Sequence, residues 1–146
     1  MLKKIPDIIS PDLLYALAQM GHGDDIAIVD ANFPATSHAQ RLIRADASNS
    51  DQLLSAILQL MPVDDFTDDS LRVMAMANGE LPTIAQDFSR ICHFAEEKEV
   101  LPHGLSRQDF YQQAKNAFCI VATSERRLYA NCLIRKGVIP PGSSHS

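Results

Sequence analysis

The sequence predicts an α/β fold: a three-layer α/β/α sandwich around a central, mostly parallel sheet. Ile26-Ala27-Ile28-Val29 and Phe118-Cys119-Ile120-Val121-Ala122 are continuous apolar runs of strand length, as expected of strands covered on both faces. Stretches with apolar residues at helical spacing lie between such runs. Turn residues, including Gly21-His22-Gly23 and Asn32-Phe33-Pro34, separate the two kinds of segment.

The elements follow in order. Ser10-Pro11-Asp12 reads as an N-cap, a proline at the first helical position and a first-turn acid. Leu13, Leu14, Leu17, Ala18 and Met20 continue that helix, and Gly21 is the expected stop. Residues 26–30 form a buried strand ending on Asp30, and 31–37 form a loop around Pro34. A helix over 51–60 is capped by Ser50, with Leu53, Leu54, Ile57, Leu58 and Leu60 inward. Asp64, Asp65, Asp68 and Asp69 read as a solvated loop. A strand over 71–76 and a helix over 83–95 follow. Ser106-Arg107-Gln108-Asp109 resembles a capping box, with Asp in place of the usual Glu. After the helix it opens come strands over 118–122 and 129–134. Residues 1–140 are expected to form a single domain, and 141–146 a flexible tail.

The chain has 146 residues, 46% of them hydrophobic and 21% charged, the profile of an ordinary globular domain. Its net charge of -5, with acids and bases interspersed, argues against a nucleic-acid partner. No apolar stretch predicts a signal peptide or a membrane span. Cys92, Cys119 and Cys132 form no CxxC pair, so the expectation is a reducing, cytoplasmic compartment.

Three segments carry polar residues where a core does not ask for them. His22 lies between two glycines, after a helix whose negative end points toward it and beside Asp24 and Asp25. These features favour the imidazolium and suit a proton donor. A histidine that merely caps the helix fits the spacing equally. Tyr129 and Asn131, two apart on a strand, share a face and suit sugar hydroxyls; a surface hairpin accounts for them as well. Arg107 reads locally as a solvated first-turn side chain, and Arg44-Ala45-Asp46 as an ion pair. The five histidines show no metal-binding spacing, and no GxGxxG, P-loop or GxSxG element occurs. The sequence therefore calls for neither a metal nor a cofactor.

Taken together, the chain resembles the L-fucose mutarotase and ribose pyranase family. The matching stretches are Ile8-Ile9-Ser10-Pro11-Asp12-Leu13-Leu14, Met20 through Asp25, Asp30 through Ala35, and Ile43-Arg44-Ala45-Asp46. Further along they are Phe110-Tyr111, Ala114 through Phe118, Glu125 through Asn131, and Arg135-Lys136-Gly137-Val138. Ser10 through Leu14 and Ile43 through Asp46 favour the fucose branch. Two positions depart from it: Asn32 replaces a histidine of several bacterial fucose mutarotases, and Ala130, as in ribose pyranases, replaces glycine.

The resemblance implies interconversion of the α and β anomers of a free monosaccharide, with His22 as the acid/base residue. It implies sugar binding by Asp30, Arg107 and Tyr129-Ala130-Asn131. It also implies a homodecamer of two pentameric rings with sites near subunit boundaries. D-Ribose pyranase activity and a non-catalytic sugar-binding accessory role are the alternatives. Tyr129 is the expected second catalytic group. His22 and Asp30 are eight residues apart in sequence, up to roughly 26 Å if extended. Either the glycine turn folds His22 back, or the two serve different composite sites.

Overall fold

The computed structural model describes residues 1–142; the remainder of the expected tail, 143–146, lies outside the described residues. Six strands form one sheet: β1 (Asp25–Val29), β2 (Leu42–Ala45), β3 (Leu71–Met74), β4 (His103–Leu105), β5 (Cys119–Thr123) and β6 (Cys132–Arg135). Their spatial order is β2-β5-β1-β6-β3-β4. β1 and β2 both pair with β5 in parallel, and β3 pairs with β4 in parallel. β6 alone runs the other way, antiparallel to β1 and to β3. The sheet is thus mixed and mostly parallel, as predicted.

Side-chain alternation divides the core in two. Ile26, Ile28, Cys119, Val121, Cys132 and Ile134 face one layer, packed by α1 (Pro11–Gln19), α3 (Ser50–Leu58) and α4 (Ile84–Glu96). Ala27, Val29, Ile120, Ala122 and Leu133 face the other, against α2 (Ala35–His38) and α5 (Arg107–Asn116). Central strands carry apolar residues on both faces because both faces are covered.

Local chemistry explains most boundaries. Ser10 Oγ accepts the Leu13 N–H at 3.2 Å, and Ser106 Oγ accepts the Asp109 N–H at 3.1 Å, so both predicted caps form. Other expectations are corrected. Asn49, not Ser50, is the N-cap of α3; Ser50 instead donates its N–H and hydroxyl to buried Glu125. Gly21 does stand at C′, just after the C-cap Met20, but the left-handed residue of the turn is Gly23 (φ 89°). The predicted strand over 129–134 starts only at Cys132, because Tyr129 adopts φ 59° and turns the chain. Edge strands β2 and β4 and the one-turn helix α2 are additional to the sequence reading. The edges are short and partly exposed, and therefore lack an apolar run.

Candidate functional site

The topology collects most of the predicted residues along one strand-end edge of the sheet, where β1, β2, β3, β4 and β5 end and β6 begins. Asp30, just past β1, is only 5% exposed. Its N–H donates to Asn131 Oδ1 at 2.7 Å, and its Oδ1 accepts the Asn32 N–H at 3.0 Å. Burial pushes the Asp30 carboxyl above the usual aspartate range, against hydrogen bonds from Asn32, Asn131, Ala130 and Phe33 that pull it down. Asn131 and Ala130 are buried beside it, and Asn131 Nδ2 also reaches Met74 Sδ at 3.9 Å. Tyr129 is half-buried against the core under α5. Since it precedes the strand in a left-handed turn, it does not share a strand face with Asn131 as predicted.

Arg107 stands exposed at the first position of α5, after β4. It belongs to the same edge, but β4 lies three strand positions from β1, roughly 14 Å along the sheet. Phe33, His38 and Tyr111 form an aromatic cluster nearby, with ring centroids 5.1 to 6.1 Å apart. His38 and Tyr111 were not singled out from the sequence, because an aromatic at helical spacing reads equally as core.

A second buried carboxylate holds these loops. Glu125 Oε2 and Oε1 accept from Arg127 Nε at 3.1 Å and Nη2 at 2.7 Å, while its carbonyl accepts the Ala31 N–H. The Arg127 guanidinium pulls the Glu125 carboxyl down to about 2. Asp30, without such a cation, shifts upward. Arg44 and Asp46 form the expected ion pair at 2.8 Å, exposed on the edge strand.

His22 lies at the opposite edge. The five residues of β1 alone hold it about 16 Å from Asp30, so the glycine turn does not fold it back. Its surroundings also differ from those expected. The carbonyls ending α1, Leu17 O and Met20 O, are taken by Lys136 Nζ. Asp24 caps the Gly21 N–H at 2.8 Å, and Asp25 pairs with buried Arg72. The acid beside His22 is Asp64, from 42 residues away, with Oδ1 at 2.9 Å from Nε2. The sequence reads Asp64 as part of a solvated loop, yet its side chain is 2% exposed while that of His22 is 41% exposed. Nothing local distinguishes Asp64 from Asp65, Asp68 or Asp69; a long-range contact does. Phe66, 73% exposed, sets its ring edge-to-face on the imidazole at 4.7 Å. Among the described residues, no three His, Cys, Asp or Glu side chains cluster as a metal ion requires.

The mixed α/β/α domain thus presents a buried carboxylate–amide pair at one end of its central strand and an exposed His–Asp pair at the other, both of them groups able to hydrogen-bond a small polar ligand. The chain belongs to the RbsD / FucU transport protein family, whose pattern it matches over residues 3–139. It is 42% identical to the fucose mutarotase of Danio rerio, over 97% of this chain and 96% of that protein. A solved fucose mutarotase from Streptococcus pneumoniae, in complex with L-fucose, superposes with a TM-score of 0.89 at 44% identity, covering 95% of this chain and all of that one. Bacillus subtilis RbsD complexed with D-ribose gives 0.68 at 25% identity, covering 96% and 100%.

Proposed function

We propose that this protein is an isomerase that interconverts the α and β anomers of a free monosaccharide, L-fucose foremost. The observation that carries this reading is the near-full-length likeness to a fucose-bound mutarotase, far stronger than the likeness to the ribose-bound protein. Ring opening takes the proton from the anomeric hydroxyl and gives one to the ring oxygen; rotation about C1–C2 and closure reverse both transfers. Positioned acid and base groups contribute roughly 10²–10⁴-fold to such a reaction.

His22 donates to the ring oxygen and recovers the proton on closure. Tyr129 serves the anomeric hydroxyl, and Asp30, Arg107, Asn131 and the Ala130 backbone hold the remaining groups. One monosaccharide cannot bridge the two ends of β1. The site is therefore composite, with His22 of one subunit completing the Asp30 edge of its neighbour. A closed homodecamer supplies that contact at every subunit. The reading places the protein in the cytoplasm, in keeping with three free, buried cysteines; no described helix is long and apolar enough to cross a membrane.

Ala130 favours a second reading, the pyranase-type isomerisation of D-ribose. Anomeric proton exchange by NMR tests both with wild type and His22→Gln. Exchange on L-fucose that falls at least about 10²-fold in the variant is expected. Exchange on D-ribose alone selects the second reading, binding without exchange a sugar-binding accessory protein, and full activity in the variant removes His22 from the reaction.

A further inference from the structure

The imidazole of His22 has two nitrogens, and the fold treats them differently. Nε2 lies 2.9 Å from Asp64 Oδ1, and the ring is otherwise turned outward, 41% exposed. An ionised carboxylate accepts hydrogen bonds and does not donate them. The hydrogen in this contact therefore belongs to Nε2, and a neutral ring so held has its lone pair on Nδ1.

The acceptor is fixed by contacts from several elements. Asp64 N–H donates to Arg135 O at 3.0 Å, and Ser70 Oγ donates to Asp64 O at 2.6 Å, which pins the backbone to β6 and to the start of β3. Thr67 Oγ1 accepts from Arg135 at 2.7 Å and gives its own hydrogen to Asp64 Oδ2 at 3.4 Å. Asp64 Oδ1 also accepts the Phe66 backbone N–H at 3.4 Å, so one carboxylate meets both the His22 ring and the chain that carries the Phe66 ring. Gly137 makes room for this arrangement. A Cβ there would meet Val63 O at 2.7 Å and the Asp64 Cα at 2.8 Å.

We infer that Asp64 is a positioning residue that sets the tautomer of His22, so that Nδ1 is the nitrogen that exchanges the proton with the sugar. The role in turnover rests on the reaction proposed above; the tautomer does not. During ring opening the imidazolium gives its Nδ1 hydrogen to the ring oxygen, and on closure Nδ1 takes it back, with Nε2–H bonded to Asp64 throughout.

Nitrogen-15 magic-angle-spinning NMR of the histidine-labelled full-length protein, without sugar and at a pH where the ring is neutral, reads the tautomer directly. Wild type is expected to carry the hydrogen on Nε2 and Asp64→Ala a mixture. Asp64→Asn should keep the wild-type form, because its amide oxygen still accepts. On L-fucose, Asp64→Ala should lose roughly 10²-fold in exchange rate at saturating sugar. Its half-saturating concentration should move less than about threefold, and Asp64→Asn should recover most of the rate. A wild-type His22 with its hydrogen on Nδ1 overturns the assignment. So does an Asp64→Ala protein with a mixed tautomer and the wild-type rate. Because the NMR measurement needs no sugar, failure of the assignment and failure of the reaction reading are distinguishable.

Discussion

At the C-terminal end of β1, Asp30 is 5% exposed and held by Asn32 and Asn131; at the other end the His22 side chain is 41% exposed and held only through one ring nitrogen and one aromatic edge. The first arrangement is finished within the subunit, with polar atoms already placed at the cost of burying a carboxylate. The second leaves a reactive nitrogen and a large apolar ring facing outward. On the reading proposed above, the sugar-holding residues and His22 stand at opposite ends of one strand. That reading calls for an assembly, rather than a loop movement, to join them.

Mixing variants tests most strongly whether the two ends of β1 serve one composite site. His22→Gln and Asp30→Asn proteins should each be nearly inactive, while rings refolded from equal amounts should regain about a quarter of wild-type exchange, the statistical share of sites with both intact partners. No regain places both residues in the same subunit's site. Next, Asn131→Ala removes the acceptor of a buried N–H and should destabilise the fold by about 1–3 kcal/mol. A thermal melt checks this, and an unchanged Tm would mean that the Asp30 edge is not built in advance.

The smallest effect concerns pH. The folded Glu125 carboxyl is held down to about 2, against an ordinary 4.5, so its contribution is present above pH 4.5 and lost as the pH falls toward 2. Glu125→Gln should lower stability near neutrality and flatten its decline over that window in denaturant melts. An acid limb identical to wild type would remove Arg127–Glu125 from the support of the Asp30 loop.

How much was legible follows from range in sequence. Local patterning gives the buried strands, the helices α1, α3, α4 and α5 and the caps at Ser10 and Ser106, since each is decided by residues within a few positions. It failed at Tyr129, where a left-handed turn interrupts an apolar run that otherwise reads as strand. It failed also at the two edge strands, whose exposed residues carry no signal. His22 stands out in the sequence because glycines flank it, but its partner does not: Asp24 is nearest along the chain, and its carboxylate is spent on the turn itself.

The layered α/β architecture, the candidate residues and, through an ordered set of motifs, the family are all written in the local sequence. Long-range packing selects which of those residues meet. It set Asp30 beside Asn131 across 101 positions and His22 on Asp64 across 42, and it held the two pairs at opposite ends of β1. The reason is physical: hydrophobic periodicity encodes which face of an element is buried, whereas strand order and direction are fixed by packing among elements far apart in the chain.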